Sequence, residues 1–440
     1  MGAQAHQDVL KEYAALANPE LQAYVNEIGQ RLAKQSHRPE LKWHFTVVDS
    51  PDVNAFALPG GYVYITRGIM AYLNSEAELA GVIGHEIGHV TARHGVRQQS
   101  ASTAAGLGAV LGSILVPGMG NQAGATLLQT LAQAWTAGYG REHELESDRL
   151  GAEYLAKAGY NPQAMIEVVG VLKNQELFAA EQAKRNGRQA KTYHGTFDTH
   201  PSNDERLQQV VASAGKYSVA APREGRSSYL NKMSGVIFGD SPEQGVIRGN
   251  ALLHEKLGLA IQFPQGWQVQ NRPDRVVAMS PKGDALVELQ SGPKGGTPLE
   301  TLQRGLKLDA GARYDSGSLS GYPAAFAAGA QQGKPVVVAA VAFNGVQYLI
   351  AGMARDKATY ERERNTLRSA INSFHAITPA EKQAARSYVL RTITVQPGMN
   401  MASLARLSPL ESDAESQLRL INDLYPQGEP KPGQLLKIVQ

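Results

Sequence analysis

Residues 75–95, SEAELAGVIGHEIGHVTARHG, place three imidazoles and three carboxylates in a segment that is otherwise mostly aliphatic. The pattern predicts a helix, opened by a Ser75–Glu78 capping box and stopped at Gly95. Val82, Ile83, Ile87 and Val90 make it apolar nearly all round, so the fold has to bury it. Buried imidazoles need partners. His85 and His89 are four residues apart, so their Cβ atoms lie on one face about 5–6 Å apart. Both rings can therefore converge on one ion, and Glu86 can reach a water held by it. This is H-E-x-x-H, a spacing for zinc ligation by two histidines and proton transfer by the glutamate. Two satisfied core histidines would be the plainer alternative.

A third ligand has to come from elsewhere. His94 lies nine residues after His85, about 180° around a straight helix, and reads as a surface histidine near the helix C-terminus. The metzincin spacing also fails, because Ala92 and Gly95 stand where that pattern needs glycine and histidine. In GREHELESDRLGAEYLA, residues Glu144, Asp148, Gly151 and Leu155 form one helical stripe. Glu144 is the candidate ligand. Asp148, one turn on, can accept a hydrogen bond from a ligating imidazole, and Gly151 lets two helices approach closely. Glu142, His143 and Glu146 are rivals that point to other sides.

At 440 residues the chain exceeds one ordinary core. A net charge of +3, spread along the chain, argues against a nucleic-acid partner. The absence of cysteine removes disulfides and thiolate sites. The sequence predicts an α+β protein in three parts. Residues 1–220 are mainly helical with short strands in KWHFTVVDS and GYVYITRG. Residues 221–386 form an antiparallel-sheet α+β domain with a helix at ERERNTLRSAINSF. Residues 387–440 are a small strand–helix–helix–strand unit. The run AAGLGAVLGSILV, residues 104–116, is too short to span a bilayer; it reads as a core helix, or as a lid or peripheral membrane-touching segment. The N-terminus starts polar and reads directly as helix, so the chain is either cytoplasmic or a mature form that has lost its leader.

With HEIGH and ELESD both in place, the chain resembles the gluzincin metallopeptidases of the CAAX prenyl protease and HtpX type. Among them it resembles the soluble periplasmic members of the β-barrel assembly-enhancing protease type. NAFALPGGYVYITRGIM, REHELESDRLGAEYLAKAGYNP and THPSNDERL extend the likeness over about residues 1–212. The resemblance implies a zincin domain holding one Zn2+, with His85, His89 and Glu144 as ligands, Glu86 as general base and Asp148 as ligand support. It implies a cleft lined by Asn54–Gly61, where an extended protein or peptide substrate could add as a strand. It also implies that His200 of the THP motif can take zinc's fourth position and inhibit the enzyme. Tyr139, Tyr193, His143 and His194 remain open as oxyanion donors.

VQPGMNMASLA, LINDLYP and KPGQLLKIV are similar to the LysM module, a βααβ glycan-binding domain, with Met399-Asn400 in place of its usual Asp-Thr. That likeness implies peptidoglycan or envelope proteins as partners. Together the resemblances imply a zinc endopeptidase at a periplasmic or outer-membrane-associated location. The rival reading is a chaperone-like or scaffolding envelope protein with a latent metal site. A glycan-acting hydrolase using acid pairs is a weaker one.

Overall fold

The computed structural model describes residues 2–97, 140–185, 204–272, 274–293, 295–410 and 413–440. Among them, residues up to 239 and from 388 onward form one compact unit, and residues 240–387 form another. The chain therefore divides at 239/240 and 387/388, where the sequence reading puts 220/221 and 386/387. Main-chain pairing is the reason: Ile237–Phe238 is a strand bonded to Tyr388–Val389. Residues 215–225, where glycine and proline suggest a linker, are a loop within the first unit.

That unit begins with helix α1 (Gly2–Glu12) and α2 (Pro19–Ala33). Asn18 caps α2 by accepting the Leu21 N–H at 3.0 Å, and Pro19 supplies a fixed φ where no N–H is needed. Leu21, Val25, Ile28 and Leu32 are buried, each worth about 1.5–3 kcal/mol relative to exposure. Strands β1 (His44–Val48), β2 (Ala55–Leu58) and β3 (Tyr62–Thr66) form a sheet in the order β1-β3-β2. β1 runs parallel to β3, and β2 runs antiparallel to it at the sheet edge. The β2–β3 turn places Gly60 and Gly61 at φ 99° and 93°, a region a side chain would strain.

Helices α3 (Arg67–Tyr72) and α4 (Glu76–Thr91) follow. Every residue of α4 from Ala77 to Val90 is buried, as its all-round apolar character requires. Ser75 caps it by accepting the Glu78 N–H at 3.0 Å, and Glu78 reaches back to the Asn74 N–H at 2.8 Å, not to that of Ser75. The helix stops at Thr91, earlier than the expected Gly95, because Arg93 adopts φ 57° and turns the chain. Helix α5 (Arg141–Lys157) packs along α4. Helices α6 (Ala164–Arg185), α7 (Asp204–Ala214) and α8 (Arg226–Met233) complete this part.

The C-terminal residues keep the expected order: strand Tyr388–Thr394, helices Met401–Ala405 and Ala414–Ile421, and strand Leu435–Val439. They are built into the first unit. Lys437 is fully buried, and its ammonium donates to the carbonyls of Ala71 and Leu73 at 2.7 and 2.5 Å, just ahead of α4.

The second unit is antiparallel throughout. Seven strands lie in the order 313–319, 322–331, 334–343, 346–354, 285–291, 275–279 and 268–271. Alternate residues of Lys334–Phe343 serve opposite faces: Val337, Ala339 and Val341 pack with helix Lys357–Asn372, while Val336, Val338 and Ala340 pack with helix Pro298–Gly305. Four shorter strands, 246–248, 251–254, 259–262 and 375–376, make a further sheet. Among the described residues no helix is long and apolar enough to cross a membrane. The 104–116 run lies outside them.

Candidate metal centre

Glycines set the distance between α4 and α5. A Cβ on Gly88 would lie 3.0 Å from the Ser147 Cα, one on Gly84 3.0 Å from the Leu155 Cδ1, and one on Gly151 3.2 Å from the His85 nitrogen. These contacts leave almost no room for a side chain, so the helices touch backbone to backbone. The stripe read from sequence therefore does what its glycine suggests. Gly88→Val should push α5 outward and weaken metal binding by about tenfold or more; competition against a chromophoric chelator measures this. Unchanged affinity would mean that the helix spacing does not set the site.

The contact brings His85, His89 and Glu144 together, all buried. The two Nε2 atoms are 3.0 Å apart. The carboxylate spans both rings, with Oε2 3.5 Å from the His85 Nε2 and Oε1 3.4 Å from the His89 Nε2. Ligands at about 2.0–2.2 Å around a tetrahedral ion stand about 3.3–3.6 Å apart; the two carboxylate–imidazole separations fall in that range, and the imidazole pair, at 3.0 Å, has to open by about 0.3 Å to hold such an ion. Among the described residues this is the one such cluster of three. The His85 Nδ1–H donates to the Asp148 Oδ1 at 2.8 Å, which leaves Nε2 facing the other two groups. Burial alone would lower the His85 pKa, but hydrogen bonding to Asp148 and Glu144, with their charge, raises it to about 10. The site is built to favour a cation. Glu86, on the same helix, is 2% exposed.

His94 is not a surface histidine. The turn at Arg93 breaks the straight-helix geometry behind that expectation and folds His94 back beneath α4, where it is fully buried. Its Nδ1 lies 2.9 Å from the Nδ1 of His89, and its Nε2 lies 3.0 Å from the Glu146 Oε2. Burial pushes its pKa down to about 4, against the pull of Glu146. The rivals for third ligand take other places. Glu146 accepts from His94 and from Arg97, the His143 ring stacks on that of His94 at 4.2 Å, and Glu142 is exposed. His94 is the residue whose place the sequence reading missed.

A cavity of about 220 Å3 opens beside His89, walled by Leu58, Pro59, Gly60, Val90, Arg93 and Val96. The end of β2 and the turn after it, residues 57–60, border this cavity. His200, Tyr139, Tyr193 and His194 lie outside the described residues.

Residues 19–214 match the family described as peptidase family M48. The matched part contains both helices of the centre and the edge strand beside it. The beta-barrel assembly-enhancing protease of Escherichia coli is 32% identical over 231 residues, which are 51% of this chain and 45% of that protein. Its counterpart from Yersinia pestis is 35% identical over 197 residues, 43% and 38% of the two chains. The mitochondrial metalloendopeptidase OMA1 of Arabidopsis thaliana is 36% identical over 132 residues, 30% and 26%. The chain spans less than half the length of each of these relatives.

Proposed function

We propose that this chain is a zinc-dependent endopeptidase of the bacterial cell envelope that cleaves unfolded or misassembled envelope proteins. The observation that carries the reading is the buried convergence of His85, His89 and Glu144, with Glu86 on the same helix, inside the part that matches peptidase family M48. Zinc, when bound, supplies a Lewis acid for the scissile carbonyl and acidifies a water. His85, His89 and Glu144 hold it, and Asp148 keeps the His85 ring oriented through Nδ1. Glu86 takes the proton of the attacking water on its carboxylate and passes it to the leaving nitrogen. The β2 edge receives the substrate as an added strand, with a substrate side chain in the apolar cavity beside His89. The envelope setting rests on the names of the beta-barrel assembly-enhancing relatives. The strand–helix–helix–strand order of residues 388–440 supports a LysM-like module that contacts peptidoglycan or envelope proteins. The test is cleavage of an unfolded outer-membrane β-barrel protein with and without a zinc chelator. Chelator-sensitive cleavage supports the reading, and the absence of cleavage by both the zinc-loaded protein and its zinc-loaded His200→Ala variant overturns it.

By its THP motif, His200 serves as an inhibitory fourth ligand, because catalysis needs that position open for water. His200→Ala should then raise cleavage of the same substrate with zinc still bound. Unchanged cleavage removes the inhibitory role, and a fall assigns His200 to catalysis.

A further inference from the structure

We infer that His94 is a positioning residue for the metal centre: it fixes the tautomer and orientation of His89 by accepting the His89 Nδ1–H, and is itself held by Glu146. The inference rests on the metal-binding reading above. A carboxylate can only accept, so at 3.0 Å the His94 Nε2 carries the hydrogen and donates it to the Glu146 Oε2. A neutral imidazole with Nε2–H has a lone pair at Nδ1. That lone pair faces the His89 Nδ1 at 2.9 Å, and two lone pairs cannot face each other there, so the His89 Nδ1 donates. The Ser147 hydroxyl, 3.3 Å from the same His94 Nδ1, also supplies a donor to it. The His89 Nε2 is then bare of hydrogen and directed at the His85 Nε2 and Glu144. The opposite arrangement would put the hydrogen on the atom that has to ligate.

The two ligating histidines are thus supported in different ways. Asp148 accepts from His85 directly. His89 reaches its carboxylate, Glu146, through an intervening imidazole. Arg97 also donates to Glu146, at 2.9 Å, and the His143 ring lies against the other side of His94 at an interplanar angle of 18°. The chain from Glu146 to His89 is therefore held at each link. This needs the turn at Arg93, since a continued helix would carry His94 to the far side.

Three variants separate positioning from bulk packing, with zinc affinity read by chelator competition and metal-free melting as a control on the fold. Asn places a carbonyl oxygen near where the His94 Nδ1 accepts. Gln keeps a donor toward Glu146 but not that acceptor, and Ala keeps neither. His94→Ala and His94→Gln should raise the zinc dissociation constant about 10–100-fold, while His94→Asn stays within about threefold of wild type. Equal loss in all three, or loss that tracks a fall in metal-free melting, would overturn the assignment. So would unchanged affinity in His94→Ala. A wild type that takes up no zinc sinks the metal-binding reading and the assignment together; wild-type uptake with an indifferent His94→Ala sinks the assignment alone.

Discussion

Glu86→Gln is expected to keep its fold and its zinc and to lose proteolysis by about 10²–10⁴-fold. The amide matches the carboxylate in size, so the buried position, 2% exposed, is filled as before. His85, His89 and Glu144 are untouched, and metal content should stay at the wild-type value. What is lost is basicity, since an amide oxygen cannot hold the proton taken from water. Cleavage of an unfolded substrate by the zinc-loaded variant is the measurement. Near wild-type cleavage would remove Glu86 from its role and leave the metal centre standing.

His85→Ala should behave differently, losing zinc and proteolysis together. It deletes one of three donors and also takes away the ring that donates to Asp148, a carboxylate only 2% exposed. Breaking a buried charged pair by removing one partner costs about 3–5 kcal/mol, so the variant should also melt earlier than Glu86→Gln. Zinc retained at a full equivalent would show that the ion is held elsewhere. The two variants together separate holding the metal from using it.

The centre was legible in the sequence where helical spacing alone decides position. His85 and His89 share a face because they are four apart, and Glu144, Asp148 and Gly151 share a stripe for the same reason. Spacing could bring α5 against α4 only through the close-packing signal of glycine, which Gly84, Gly88 and Gly151 satisfy. The place of His94 is not legible from spacing, because the helix ends at Thr91 and does not continue straight to Gly95. A non-glycine residue at φ 57° is uncommon, and nothing in the letters around Arg93 announces it. The place of the C-terminal residues was also hidden. A lysine is expected to face water, yet Lys437 is buried against the Ala71 and Leu73 carbonyls, a contact that depends on tertiary packing across the whole first unit. The antiparallel character of the second unit follows from alternation and turns, but the pairing of strand 285–291 with strand 346–354 does not, because it joins segments far apart in the chain; the helix at Lys357–Asn372 covers most of the expected segment.

The central claim is that one zinc sits among His85, His89 and Glu144. Anomalous diffraction at the zinc edge from a zinc-loaded crystal, with metal content measured on the same protein, tests it most directly. The account predicts one equivalent per chain and a single strong peak about 2.0–2.2 Å from the His85 Nε2, the His89 Nε2 and a Glu144 carboxylate oxygen. Zinc content under a tenth of an equivalent, or a peak with Glu144 outside its coordination shell, would contradict it.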